Sequence, residues 1–309
     1  MRSKLAALSR YIATVETAKH RFFVFFPVSV APEHSLIVIP RSDDTTFGLL
    51  SSRMHVVWAL ARGGRMGKGN DPRYNSLATF EPYPFPAGLT PADTAHQRTE
   101  TLEGGAIIPA GISESNRPTA PVKYAQTATK NVATSSQPEV PARAGVGVGR
   151  MSGVILKSEA YEPPASAPLA PLNPPALVPG ERKEAALTGS ARTVAIAIAQ
   201  AAKRLNDLRE AWLNPPEWTE RVPEVTPLGM DKSPYPDRIL PKPGHEKDLA
   251  DRTLTKLYNL SPAWLDAAHK ALDLAVAQAY GWTDYRGDMP DEEILKRLLA
   301  LNLERAGEA

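Results

Sequence analysis

A Pro- and Ala-rich stretch in the middle of the chain sets the strongest limit on how this sequence can fold. Between residues 117 and 180 there are 11 prolines and only two aromatic residues, Tyr124 and Tyr161. Such a composition buries too little apolar surface to offset the conformational entropy lost on ordering. We therefore expect a disordered insertion over 116–190 that separates two folded parts of the chain.

The rest of the chain is long enough to form those two parts. Its 309 residues fit about two domains of roughly 100–200 residues each. There is no cysteine, which excludes disulfides, thiolate zinc ligands and a cysteine nucleophile. No run approaches the roughly 18 apolar residues of a membrane helix, and the amino terminus lacks the apolar core of a signal peptide. We expect a soluble, cytoplasmic protein.

The amino-terminal part combines strand and helix patterns. β-Branched and aromatic runs within 11–26 and 35–40 predict buried strands. Over 43–62, apolar residues recur at three- and four-residue steps between an acidic capping pair and two glycines, which predicts one amphipathic helix. A short strand is expected over 77–86.

The carboxy-terminal part is predicted to be helical. Periodicity and capping residues predict helices over 191–213, 246–260, 261–281 and 290–306, with a Pro-rich coil over 214–245. With the amino-terminal strands and helix, this predicts an α+β fold. The expected division is a small mixed strand and helix domain at 1–90, a connecting segment at 91–115, the insertion at 116–190 and a helical region at 191–309.

Charge is distributed unevenly along the chain. The net charge is +2, but residues 1–75 hold 11 Lys and Arg against 5 Asp and Glu, and the remainder holds 25 against 29. A basic amino-terminal quarter favours a polyanionic partner for that part of the chain. On charge alone, an ordinary solvated surface is equally supported.

Two motifs suggest nucleotide chemistry but lack the context that it needs. The segment GVGVGR (145–150) has glycines near dinucleotide-binding spacing, but no strand pattern precedes it and no helix pattern follows it. LNPPEW (213–218) and LNPPAL (172–177) are similar to the Asn-Pro-Pro-aromatic loop of amino-methyltransferases, but Glu217 and Ala176 occupy the aromatic position. We interpret these Pro pairs as helix terminators.

Residue spacing indicates no catalytic or metal centre. The six histidines form no pair at metal-ligand spacing. No Ser, His and Asp arrangement for nucleophilic catalysis is evident. We expect no catalytic residue, no metal site and no cofactor-binding residue in this chain.

The loop GGRMGKGNDPRYNS (63–76) carries the clearest functional signal. It fails the phosphate-binding Walker pattern, because Arg62 and Gly69 occupy positions that require Gly and Ser or Thr. Its Arg, Lys and Asn residues can contact DNA phosphates and base edges, and its glycines allow close backbone approach. Residue types alone support DNA binding and a plain structural loop, in which Asp71 pairs with Arg73, about equally.

Long motifs on both sides of the insertion resemble one protein family. RYIATVETAKHRFFVFF, FGLLSSRMHVVWALARGGRMGKGNDPRYN and TFEPYPFP are similar to the target-recognition region of MmeI-like (type IIL restriction–modification) adenine-specific DNA methyltransferases. RLNDLREAWLNPPEW, SPYPDRILPKPGHEKDLADRTLTKLYN, PAWLDAAHKALDLAVAQAYGW and DEEILKRLLALN are similar to the carboxy-terminal tail of the same proteins. The resemblance covers residues 8–115 and 192–306.

The resemblance implies DNA binding without the chemistry of methyl transfer. The family's catalytic core has a Gly-rich loop for S-adenosylmethionine and an Asn-Pro-Pro-aromatic loop, and neither is found in this sequence. The chain thus resembles the downstream fragment of such an enzyme, from a split, truncated or frameshifted gene, or a separate specificity subunit. In the complete family enzyme the core flips out and methylates the target adenine, while the recognition region holds double-stranded DNA.

The resemblance also implies which residues contact DNA. Arg65 and Arg73 would contact guanine edges, and Asn70 and Asn75 would contact adenine or the backbone. Lys68 would contact phosphate, and Asp71 would accept from a cytosine amine or orient Arg73. The further phosphate contacts would be Lys19, Arg21 and Arg53. Tyr74 is expected to pack inside the protein.

A second interpretation belongs to another class of function. The apolar faces of the carboxy-terminal helices and the missing core are also typical of a protein-interaction or specificity subunit. Its helical tail would dock on a separate methyltransferase catalytic chain, which would then be the partner in addition to DNA. Neither interpretation involves a membrane, and neither predicts methyltransferase activity of this chain alone.

Overall fold

The computed structural model describes residues 5–66, 71–95, 98–111, 190–231, 233 and 235–307. These residues form α-helices and short antiparallel sheets that belong to one compact unit. The predicted α+β class is therefore confirmed. The predicted insertion of 116–190 lies outside the described residues, except for Ser190.

Three amino-terminal strands form an antiparallel sheet with the order β2–β1–β3. Tyr11 in the central strand lies opposite Phe26, and Ala13 lies opposite Val38. All four side chains belong to one apolar cluster, which explains why the β-branched and aromatic runs form strands here. The strands are β1 (Arg10–Val15), β2 (Val24–Pro27) and β3 (Leu36–Ile39).

Two helices follow the sheet where the periodicity predicted one. They are α1 (Asp44–Ser51) and α2 (Arg53–Arg62). Asp43 caps α1, as predicted. The break falls at Ser52, whose backbone is extended and whose hydroxyl donates to the carbonyl of Leu49 at 2.7 Å. The same residue is the N-cap of α2, so the apolar spacing continues across a change of helix axis.

The longest helix, α3 (Ala191–Leu213), joins the two ends of the chain in one core. It packs against α1 and against α6 (Ala263–Ala279). Gly48 of α1 lies at this crossing, where a Cβ would be 2.7 Å from Cγ2 of Ile198 and 3.1 Å from Cδ1 of Leu272. The residues before and after the insertion therefore share one hydrophobic core. The predicted domain boundaries at residues 90, 115 and 190 remain predictions.

The other carboxy-terminal helices follow the predicted order with one change. The predicted helix over 246–260 consists of two short helices that are separated by residues 251–253. The last helix packs against α2. These helices are α4 (Glu246–Ala250), α5 (Leu254–Leu260) and α7 (Asp291–Gly307). Within the described ranges, no helix is long and apolar enough to cross a membrane.

Two further hairpins lie in regions that were predicted to lack strands. The segment of 214–245, predicted as coil, contains β8 (Thr219–Val222) and β9 (Arg238–Pro241), which pair with each other. The connecting segment contains the pair β6 (Thr99–Thr101) and β7 (Ile107–Pro109). Both pairs contain β-branched residues within otherwise polar or Pro-rich sequence, which weakened the strand signal.

The strand predicted over 77–86 is wrong. Ser76–Phe80 form a π-helical turn instead, and Asn75 caps it by accepting a hydrogen bond from the nitrogen of Leu77 at 2.9 Å. The following residues contain three prolines within 82–86, which lack the N–H groups that strand pairing requires.

Candidate nucleic-acid interface

A short hairpin projects the first of the predicted DNA-contacting residues toward solvent. Its strands are β4 (Arg65–Met66) and β5 (Asp71–Pro72), with Arg65 opposite Pro72 and Met66 opposite Asp71. Arg65 and Met66 are exposed, whereas Asp71 is half-buried. We call this element the 65–72 hairpin. It follows directly from α2, so its position depends on where that helix ends.

The base of the 65–72 hairpin is fixed to the continuation of β1. The nitrogen of Tyr74 donates to the carbonyl of Glu16 at 2.7 Å, and Arg73 forms an antiparallel bridge with Thr17. The nitrogen of Arg73 also donates to the carbonyl of Gly64 at 2.8 Å, which closes the base of the hairpin. These backbone bonds hold the hairpin against the amino-terminal sheet.

Arg21 strengthens this attachment from inside the protein. Its side chain is buried and lies 5.2 Å from the ring centre of Tyr74. Burial lowers the pKa of Arg21, while the Tyr74 phenol acts in the opposite direction. The guanidinium donates to Oγ1 of Thr14 (3.0 Å) and to the carbonyls of Val15, Glu16 (3.4 Å) and Pro72 (3.0 Å). A side chain held in this way has no surface for a phosphate, so the structure gives Arg21 a supporting role.

Tyr74 packs inside the protein, as its residue type suggested. It is 1% exposed, and its hydroxyl lies 2.9 Å from Nε2 of His55. Burial and the nearby charge of Arg21 lower the pKa of His55 to about 3, so this imidazole is neutral at physiological pH. Phe23 and Tyr83 complete an aromatic cluster around these two side chains. The aromatic cluster around Tyr74, next to the base of the hairpin, is therefore packed and uncharged apart from Arg21.

Arg73 is bound by Glu16. The Nε of Arg73 donates to Oε1 of Glu16 at 2.6 Å, and its Nη2 forms an ion pair with the same oxygen. The side chains of both residues are partly exposed, to 40% and 33%. The structural alternative raised by the sequence, a pair of Asp71 with Arg73, is thus replaced by a pair with a residue on the neighbouring strand.

Lys19 and Arg53, two further predicted phosphate contacts, both bind other parts of the protein. Lys19 is exposed, and its Nζ donates to Oδ1 of Asn259 at 2.8 Å. Arg53 connects α2 with the carboxy-terminal helices through the carbonyls of Gly287 and Met289 and the carboxylate of Asp291. Arg53 therefore supports the position of α2, and its guanidinium has little capacity left for DNA.

The other predicted contacts are Lys68, Asn70 and Asn75. Lys68 and Asn70 lie in 67–70, outside the described residues. Asn75 is exposed and uses its side-chain oxygen to cap the π-helical turn, which leaves its amide N–H groups for a partner. The structure thus brings Arg65, Asp71, Arg73 and Asn75 onto one short element.

Some residues beside the hairpin were not predicted from the sequence. Glu16 was missed because a lone glutamate after a strand has no spacing signal that relates it to Arg73. Met66 is 48% exposed and Leu77 is 70% exposed, so apolar side chains lie next to the charged ones. Exposed large apolar residues are a general signal for contact surfaces, but exposure is not visible in a single sequence.

The ranges that the structure describes contain neither a cluster of metal-ligand side chains nor a parallel sheet. No group of three or more His, Cys, Asp or Glu residues there could hold a metal ion. The strand pairs there are antiparallel, so those ranges contain no parallel strand that a Gly-rich loop joins to a helix. A cavity of about 320 Å³ lies against the sheet near Phe22 and Leu254, and none of the predicted DNA contacts lines it.

Comparisons with known proteins found one type of similarity. No protein-family model matches the chain, and no curated protein matches it. A solved structure of the Type IIL restriction–modification enzyme MmeI in complex with DNA is similar over 97% of this chain, at 15% sequence identity and a TM-score of 0.44. The chain spans 22% of the length of that protein. This TM-score is too low to establish a shared fold.

Proposed function

We propose that this chain is the sequence-specific DNA-binding, target-recognition portion of an adenine-specific DNA methyltransferase of the restriction–modification type. In this proposal the chain binds double-stranded DNA through the 65–72 hairpin and has no methyltransferase activity alone. The motifs that resemble the MmeI-like family support the assignment to this class of enzyme. The geometry of the hairpin supports the assignment of the DNA surface.

The observation that carries the proposal is an exposed basic hairpin on a rigid base. Arg65 is exposed on β4, and Arg73 lies at the base, bound on one side by Glu16. A two-stranded ribbon is narrow enough to enter the DNA major groove, which is about 12 Å wide. The hydrogen bond from the buried Arg21 to Pro72 reduces the conformational freedom of the hairpin. Less conformational entropy is then lost when the hairpin side chains bind base edges.

The individual roles follow from hydrogen-bonding capacity. Arg65 and Arg73 can each donate two bonds to the acceptors of a guanine, whereas Asn70 and Asn75 suit adenine or the backbone. Asp71 can accept from a cytosine amine. Lys68 and Lys19 supply phosphate contacts, which position the protein without selecting sequence. Arg21 and Arg53 are left out of the DNA surface, because their guanidinium groups are used within the protein.

A gel-shift titration of the full chain tests the proposal. Random and selected duplexes are compared over a range of salt concentrations, because phosphate contacts make affinity fall as salt rises. We expect salt-sensitive binding that Lys68→Glu weakens. Lys296→Glu is the matched control, since Lys296 is exposed on α7 beside acidic residues. Absence of binding at low ionic strength, or equal losses in both variants, would contradict the proposal.

S-adenosylmethionine belongs to the complete enzyme in this proposal. It would bind the upstream catalytic core that the family has. Calorimetry with the isolated chain is expected to detect no S-adenosylmethionine binding. Binding by this chain alone would favour an independent enzyme instead.

A second candidate function is a specificity subunit that docks on a separate methyltransferase chain. Leu299 and Leu303 favour it, because they lie one turn apart on α7 and are 47% and 60% exposed. The occupant would be the methyltransferase core itself. Co-purification with a methyltransferase core of this family tests the idea, and loss of the complex in a Leu299→Glu and Leu303→Glu double variant is expected. A monomer that ignores such a core contradicts it.

A further inference from the structure

The ion pair between Glu16 and Arg73 has a geometry that restricts how Arg73 can meet DNA. We propose that Glu16 is a positioning residue that orients Arg73 for a two-bond contact with a guanine in the major groove. This inference rests on the proposed function. Glu16 itself would not touch DNA, and its effect would pass through Arg73.

Backbone hydrogen bonds fix both partners of the pair. Glu16 accepts from the nitrogen of Tyr74 through its carbonyl and donates from its own nitrogen to the carbonyl of Ser35 at 2.9 Å. Arg73 is held by its bridge with Thr17 and its bond to Gly64. The two Cα positions are therefore set by strand pairing, and only the side chains remain to be ordered.

The ion pair with Glu16 uses one edge of the Arg73 guanidinium and leaves a second edge for another acceptor. Oε1 of Glu16 binds Nε and Nη2, which form the side edge of the group. The terminal edge, with one N–H from Nη1 and one from Nη2, points away from that oxygen because the guanidinium is planar. No partner for this terminal edge is present among the residues that the structure describes. Two parallel N–H donors match O6 and N7 of guanine.

The exposure of the pair indicates that stability is not its main contribution. Both side chains are about one third exposed or more, and such ion pairs contribute little to folding. A fixed arginine instead gains selectivity, since its planar fork is already oriented before DNA binds. A phosphate also offers two acceptors, so the experiment has to distinguish guanine from phosphate.

Selection from a pool of randomised duplexes, followed by sequencing, makes that distinction. The wild type is compared with Glu16→Ala, Glu16→Gln, Arg73→Ala and the double variant of Glu16→Ala with Arg73→Ala. Arg73→Ala is expected to reduce the preference for guanine at one position by roughly tenfold to a hundredfold. Glu16→Ala is expected to reduce it about threefold, the scale of an exposed ion pair.

Two further results are expected if Glu16 acts through Arg73. Glu16→Gln keeps an acceptor oxygen and retains most of the preference. In the Arg73→Ala background, removal of Glu16 has no additional effect, and all variants unfold at the same urea concentration as the wild type. A purely structural role for Glu16 would not produce this dependence on Arg73.

The outcomes separate this inference from the proposed function. If the wild type binds no duplex, the proposed function fails. If the wild type selects a site but Glu16→Ala leaves the guanine preference unchanged, the positioning role of Glu16 is overturned. The same holds if Glu16→Ala lowers that preference as much in the Arg73→Ala background as in the wild type. If Arg73→Ala weakens binding to all sequences alike, Arg73 contacts phosphate and the guanine assignment is overturned.

Discussion

Asp273 of α6 accepts a hydrogen bond from the backbone nitrogen of Arg53, the first residue of α2, at 2.7 Å. Nitrogens in the first turn of a helix have no partner within the helix, so this carboxylate supplies one. The guanidinium of Arg53 binds the segment before α7 as well. The carboxy-terminal helices thus hold the helix that leads into the 65–72 hairpin, which relates the tail of the chain to the proposed DNA surface.

Asp273 is expected to make stability depend on pH. Burial raises the pKa of Asp273 to about 6, although the hydrogen bond and charge of Arg53 lower it. In the unfolded chain the pKa is about 3.9. The folded state therefore holds the proton of Asp273 more tightly than the unfolded chain does. The resulting contribution to the free energy of unfolding is present below about pH 4 and is lost as pH rises through about 6. A difference of about 2 pKa units corresponds to on the order of 3 kcal/mol.

Asp273→Asn keeps an acceptor for the nitrogen of Arg53 and removes the titration. Relative to wild type, we expect the variant to gain unfolding free energy between pH 4 and pH 7 in urea titrations. Asp266→Asn on the same helix is the control, because Asp266 is exposed. An equal difference between Asp273→Asn and wild type at both pH values would refute this account of Asp273.

Gly48→Ala is expected to destabilise the protein although alanine favours helices. The added Cβ would meet Cγ2 of Ile198 at 2.7 Å and Cβ of Ala202 at 2.9 Å, so α1 and α3 would have to move apart. Overpacking of this kind costs about 1–3 kcal/mol. Gly307→Ala provides the comparison, since no atom lies near its Cβ position. Thermal unfolding should show a lower Tm for Gly48→Ala alone, and an unchanged or higher Tm would contradict the close helix crossing.

Arg21→Lys should lower stability and leave the salt dependence of DNA binding unchanged. The single nitrogen of a lysine cannot take the positions of both terminal guanidinium nitrogens, and each buried acceptor left without a donor costs about 1–3 kcal/mol. Arg62→Lys, at an exposed position, controls for the change of residue type. Urea unfolding and a salt titration are measured on both variants. If Arg21 contacts phosphate rather than these carbonyls, Arg21→Lys unfolds at the same urea concentration as the wild type.

Lys68 and Arg65 are expected to differ in their effect on specificity. Lys68→Ala should weaken binding to specific and random duplexes alike and reduce the salt slope by about one. Arg65→Ala should weaken binding to the selected duplex by roughly 1–3 kcal/mol more than to a random one. Competition titrations measure both. A uniform loss for Arg65→Ala would make it a phosphate contact.

Much of the fold could be predicted from local patterns. The strand at 36–39 and the helices α3, α6 and α7 coincide with runs whose period and capping residues agree. The break at Ser52 could not be predicted, because the apolar spacing continues across it. The β8–β9 hairpin was missed because its two strands are short and lie within polar, Pro-rich sequence. The break at Ser52 coincides with a tertiary contact, because the nitrogen of Arg53 donates to Asp273.

The candidate site was predictable only in part. Arg65, Asp71, Arg73 and Asn75 were predicted together because they are neighbours in one loop, and the structure places them on the 65–72 hairpin and directly after it. Arg21 was predicted as a phosphate contact because of the family resemblance, but the sheet and β5 enclose it. The pairing of Glu16 with Arg73 depends on two strands meeting, and no pattern in a single sequence predicts such a contact.

The most direct test of the central claim, that the 65–72 hairpin faces DNA, is site-specific crosslinking. The chain has no cysteine, so Met66→Cys and Leu228→Cys each provide one attachment point for a photo-crosslinker. Both positions are exposed, and Leu228 lies between β8 and β9, away from the hairpin in sequence. We predict that a labelled duplex crosslinks to position 66 and not to position 228. Bound DNA that crosslinks at 228 but not at 66 would contradict the account.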